Sequence, residues 1–170
     1  MQIKPEKPGS ADEKDRAHWD AVEEAAELLH EERFREALVM LREVLQKDPS
    51  NPYAFHFTGI ALYESGELEA ARDAYRAALR VAPQHLGARV SLSHVLRALG
   101  DLRESIKEGT EALTQAPGDA DALHAVGMAY LARGDNAAAK KYLTAYLAAK
   151  PEFEAATEVR ATIASLEESS

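Results

Sequence analysis

Along most of the chain, apolar residues recur three and four positions apart with polar and charged residues between them, the spacing of helices that bury one face. In NPYAFHFTGIALYES, Phe55, Gly59 and Leu62 fall on one face; in LEAARDAYRAALRVA, which follows Gly66, so do Ala71, Tyr75 and Ala78. Each segment carries its own start and stop signals. Asn51 is placed to cap the first helix with Pro52 in its first turn, and Gly66 to close it in the left-handed conformation. Ala82, ahead of Pro83, is steered out of the helical region, so the second helix should end there, and Lys150 ahead of Pro151 repeats the logic. The two apolar faces are expected to pack together. Gly59 and Ala71 are small where the helices approach, so a larger side chain there would overpack by about 1 to 3 kcal/mol.

This helix pair recurs. Pro49, Pro83, Pro117 and Pro151 stand 34 residues apart, and Gly66, Gly100 and Gly134 keep that step, each 17 residues ahead of a proline. The units so defined are 18–51, 52–85, 86–119 and 120–153, joined without insertions, with Glu32 in the first where the others have the turn glycine. Upstream, Ser10 and Glu13 have capping-box spacing, which predicts a first helix starting near Ala11 and a disordered tail over 1–10. Downstream, Ala156, Val159, Ile163 and Leu166 lie at helical spacing, predicting a capping helix over 154–168 that covers the open apolar face of the fourth unit. The expected organisation is one all-α domain over 11–170.

A 34-residue helix pair with these residue sizes resembles the tetratricopeptide repeat family. The second unit carries the likeness best, through Phe55, Thr58, Gly59, Leu62, Ala71, Tyr75, Ala78 and Pro83, although Thr58 and Leu62 depart from the family's leucine and tyrosine. The fourth supplies Leu123, Val126, Gly127, Tyr130, Ala139, Leu143 and Pro151, with Tyr146 at a usual alanine. The third has Arg89 at the aromatic place, and the first is looser still, with a polar Glu24 suited to a terminal repeat. The resemblance implies a right-handed α-α superhelix whose concave wall is lined by the first helix of each pair.

At the family's inward-facing places stand Trp19, Val22, Ala26 and Leu29; Tyr53, His56, Ile60 and Tyr63; Gly87, Val90, His94 and Arg97; and Asp121, His124, Met128 and Leu131. The peptide-binding groove so implied has Trp19, Tyr53 and Tyr63 as aromatic anchors and Ile60, Val90, Met128 and Leu131 as its floor. His56, His94, His124 and Arg97 are its polar contacts. Aromatic and branched residues on a face with no core to fill mark a recognition surface. The family's carboxylate clamp, which holds a C-terminal aspartate, is not expected. Its places hold Val22, Ala26, Phe57, Gly87 and Ser91 in one register and His56, Ile60, Ser91, Asp121 and Ala125 in the next, neither set containing a cation.

Composition narrows the function classes. The 170 residues are 46% hydrophobic and 29% charged, an ordinary globular mixture, with no apolar run long enough to span a bilayer and no secretory leader, so a cytoplasmic location is expected. Zero cysteines exclude disulfides, thiolate zinc sites and a cysteine nucleophile. The net charge of −9 and the absence of a basic stripe with interleaved aromatics disfavour nucleic acid. By unit the charge runs −5, −1, −1 and +1, so the first repeat could serve as a rim for a basic segment beside Trp19. The six histidines lack i, i+4 pairing, which argues against a metal, and three on the wall suit hydrogen bonds to a peptide backbone. Phosphate-binding and nucleophile-elbow motifs are missing. The expectation is a non-catalytic module without cofactor or metal. It binds an apolar or basic segment of a protein partner as adaptor or scaffold, with a bacterial secretion-type chaperone and a self-assembling homo-oligomer as alternatives, and no membrane insertion.

Overall fold

The computed structural model describes residues 12–168, and helices α1 (Glu13–Asp20), α2 (Glu23–His30), α3 (Phe34–Lys47), α4 (Pro52–Glu64), α5 (Leu68–Val81), α6 (Leu86–Ala98), α7 (Leu102–Gln115), α8 (Ala120–Arg133), α9 (Asn136–Ala148) and α10 (Phe153–Glu168) account for its regular structure. The fold is all-α, and among the described residues no strand occurs. The chain divides into two compact units, one reaching to Ser91 and the other beginning at Leu92. Repeats that touch only their neighbours make such division easy.

In the first unit α2 packs on α3, α3 on α4 and α4 on α5, while α1 and α2 also meet α4. Ala71, Tyr75 and Ala78 of α5 are fully buried, and a Cβ built on Gly59 of α4 would collide with the Tyr75 ring, so the expected close approach is real. The first helix is not the single long one expected. Its N-cap is Asp12, whose carboxylate accepts from the Lys14 N–H, and the ladder breaks at Val22, whose N–H bonds the Trp19 carbonyl instead of that of His18. The freed His18 carbonyl accepts from the buried Asn51 amide at 2.9 Å, while the Asn51 carbonyl oxygen caps α4 at the Ala54 N–H. One asparagine side chain thus satisfies the carbonyl freed at the break and caps the N-terminus of α4. Ser10 and the expected tail lie outside the described residues.

In the second unit α7 packs on α8, α8 on α9 and α9 on α10. Ser93 and Ser105, both fully buried, each donate a hydroxyl to the other's backbone carbonyl at 2.7 Å, holding α6 to α7 where the second and fourth repeats use glycine and alanine. Helix α10 buries Ala156, Val159 and Leu166, with Val159 in a cluster that includes Leu123, Leu143 and Tyr146.

The turns inside the repeats share one geometry. Gly66, Gly100 and Gly134 have φ of +81°, +83° and +82°, and Glu32 adopts φ +58° at the same register, a left-handed conformation costing a side-chain-bearing residue about 1 kcal/mol. Turns between repeats are less uniform. Asp48, Ala82 and Ala116 are extended before their prolines, but Lys150 has φ +55° and α9 ends at Ala148, so the fourth repeat leaves its second helix by a left-handed turn.

Candidate functional site

Helix caps place the inward-facing histidines. The residue before each repeat's first helix falls at the same register, and Asn51, His85 and Asp119 each accept from the backbone N–H three residues on, at Ala54, Ala88 and Ala122. His85 does this with Nδ1, which leaves its proton on Nε2; that atom is buried without a hydrogen-bond partner. Its ring lies edge-on to that of His56 at 4.9 Å. His56 is 4% exposed on α4, with Nε2 3.1 Å from the Ser91 hydroxyl, and that hydroxyl also reaches the Tyr75 phenol. Burial first, and then the neighbouring His85, hold His56 well below the usual imidazole range; burial likewise lowers His85. Both rings are neutral at pH 7.

Trp19 does not stand free as an anchor. It is 5% exposed, edge-on to Tyr53 at 5.4 Å and to Phe57 at 5.8 Å, with its indole N–H unpartnered. Tyr53 is half-buried and donates its hydroxyl to Asp15 at 2.8 Å; burial and that carboxylate raise the phenol. Ile60 and Val90 are also buried, so Trp19, His56, Ile60 and Val90 belong to the interior of the first unit instead of forming a face without a core. Tyr63 remains half-exposed.

The second unit brings three of the expected polar residues together. His94 of α6 and His124 of α8 have ring centroids 5.8 Å apart, and His124 also lies 5.1 Å from the Tyr146 ring on α9. Arg97 follows His94 by three residues on the same helix face. Burial, then the partner imidazole and Arg97, push His94 down to about 3; burial and then Arg97 lower His124. His94 is as buried as His56, whereas Arg97, His124, Met128 and Leu131 stay half-exposed, and Met128 rests on the Leu123, Leu143, Tyr146 and Val159 cluster. The Arg97 Nε is buried without a partner.

Sequence reasoning missed Asp15, His85, Ser91 and Tyr146. His85 carried a usable signal, its cap register shared with Asn51 and Asp119; the other three carried none. Among the described residues no three His, Asp, Glu or Cys side chains are grouped to hold a metal ion, and no helix is long and apolar enough to cross a membrane. Surface hollows occur at the α9–α10 contact beside Lys140 and Glu167 and at the α2–α3 turn beside Arg33, away from these residues.

Two family models, each described as Tetratricopeptide repeat, match residues 28–90 and 120–153. No curated protein matches the chain. Similar solved structures include PilF of Pseudomonas aeruginosa, at 21% identity over 93% of this chain and 72% of that one with a TM-score of 0.80. TTC0263, a thermophilic repeat protein of Thermus thermophilus, is 20% identical over 89% and 82% of the two chains with a TM-score of 0.74. The crystal structure of MamA is 21% identical over 78% of each chain with a TM-score of 0.70. At such identities the likeness is one of fold.

Proposed function

Because this chain belongs to the tetratricopeptide repeat family, we propose that it is a non-catalytic adaptor or scaffold whose first helices receive a segment of a partner protein. The observation that supports the reading is the half-exposed state of Arg97 on α6 and of His124, Met128 and Leu131 on α8, which leaves a cation, an imidazole, a thioether and a leucine accessible. Tyr63 offers a second, smaller contact on α4. Each unit is taken by itself: Tyr53 and Tyr63 in the first and Arg97, His124, Met128 and Leu131 in the second are the side chains offered to a partner, whereas Trp19, His56, Ile60, Val90 and His94 are buried.

The test is capture from native lysate with wild-type protein beside a Tyr63→Asp, Leu131→Asp double variant whose fold is confirmed by circular dichroism. A protein retained by wild type and released by the variant supports the reading. Retention by both moves recognition to another face. Self-assembly is a second reading favoured by one observation, Phe153, which stands 83% exposed at the start of α10. Under it, mass measured by light scattering rises with concentration and Phe153→Ser abolishes the rise.

A further inference from the structure

The largest exposed apolar side chain among the described residues is Phe153, 83% exposed as the first residue of α10. At the far end of the same helix, α9 and α10 leave between them a hollow of about 380 Å³ lined by Asn136, Ala137, Lys140, Leu166 and Glu167. The two features share a flank. Phe153, Arg160 and Glu167 stand seven residues apart, almost two helical turns per step, and so fall along one side of α10 with Thr157 and Ala164 between them. All five are exposed, whereas Ala156, Val159 and Leu166 of the same helix are buried.

We propose that α10 docks a second copy of this chain, antiparallel, about a two-fold axis beside Arg160, so that Phe153 of each copy enters the hollow of the other. The inference rests on the self-assembly reading and gives it an occupant and a symmetry. Arg160 is seven residues from both Phe153 and Glu167, so an axis there carries each end of the helix onto the other. The distance of about 21 Å along the helix between knob and hollow is then matched in both copies, as an isologous contact requires. A different protein seated in the hollow would leave Phe153 in water; the two-fold pairing covers both at once.

The surrounding chemistry agrees. Phe153 is flanked by the exposed Glu152 and Glu154, and the hollow has the exposed Lys140 on its wall, so each docked ring brings acids to a lysine. Lys140 pairs with Glu167, but both side chains are about half-exposed, which leaves the ammonium room for a second carboxylate. Ala137 and Leu166 give the hollow its apolar lining. Thr157 and Ala164 are small, which lets the two helices approach across the axis. One contact works against the pair: Arg160 meets its own counterpart there.

The experiment is analytical ultracentrifugation of the full chain over a concentration series, with variants at exposed positions whose fold is confirmed by circular dichroism. Mass is expected to rise from one chain to two and stop there. Phe153→Ser and Ala137→Glu, which remove the knob and obstruct the hollow, should each weaken the dimer at least about a hundredfold, because both contacts are lost together. Mixed with each other, the two variants regain one knob in one hollow, and association should recover about tenfold over either alone. Arg160→Gln, which removes the like charges at the axis, should tighten the dimer. Since the chain has no cysteine, Arg160→Cys places a single thiol beside the axis, and a short bis-maleimide should join two chains through it.

A mass that stays at one chain overturns this pairing and the self-assembly reading together. Growth beyond two chains, no gain on mixing the variants, or no cross-link through position 160 overturns the two-fold pairing and leaves self-assembly through Phe153 standing. A protein captured from lysate by wild type and Phe153→Ser but not by Ala137→Glu gives the hollow another occupant and likewise overturns the pairing.

Discussion

Two histidine pairs, one in each compact unit, sit in comparable positions and do opposite things. His56 and His85 are 4.9 Å apart, one bonded to Ser91 and the other capping α6 through Nδ1 while its Nε2 stays buried without a partner. His94 and His124 are 5.8 Å apart, and Arg97, three residues after His94, has its Nε buried without a partner. Burial alone does not separate them, since His56 and His94 are equally covered, each 4% exposed. What separates them is that each ring of the first pair makes one hydrogen bond to its own unit, whereas the second pair is held by ring contacts alone among the described residues.

The largest expected effect tests that distinction directly. His56→Ala removes a buried ring and one of the two partners of the Ser91 hydroxyl, and should cost about 3 kcal/mol in urea unfolding, while His94→Ala breaks no described hydrogen bond and should cost at least about 1 kcal/mol less. Equal losses would erase the difference between the pairs.

Acid is the next probe. The folded chain keeps these imidazoles neutral, with His94 down at about 3, whereas unfolded histidine takes a proton near 6.5. The folded state therefore binds fewer protons, and stability is complete above about pH 6.5 and falls below it, by up to about 1.4 kcal/mol per pH unit for each buried ring. A His56→Gln variant should show a flatter decline in urea midpoint between pH 7 and 5 than wild type. A parallel decline would mean that His56 is not held neutral.

Removing the helix cap is smaller. His85→Ala should lose about 1 kcal/mol, and His85→Asp should recover it at pH 7, because Asp119 already performs that capping role one repeat later. Smallest of all, Arg97→Gln should leave stability within about 0.5 kcal/mol of wild type, since no partner is lost. A large destabilisation there would make Arg97 structural and end the contrast.

The sequence lattice made the helix pairs, their turns and the Gly59–Tyr75 contact legible, because period, punctuation and residue size are local properties. It did not reveal the break at Val22, which depends on a side chain 29 residues later taking up the His18 carbonyl. The recognition face was legible only in part. Inward places are a matter of register, but whether a residue there stays exposed depends on what packs over it, and Trp19 disappears beneath Tyr53 and Phe57. Arg97 shows the converse. Its register names it as an inward-facing cation, but that its Nε is buried without a partner among the described residues depends on what packs around it.

The bond from His56 to Ser91 joins the second repeat to the third. Units that look interchangeable on paper are therefore not free cassettes. A chimera that imports the second repeat without Ser91 after it would inherit an imidazole facing nothing, and shuffled arrays of this chain should recombine cleanly only where that serine travels with its histidine.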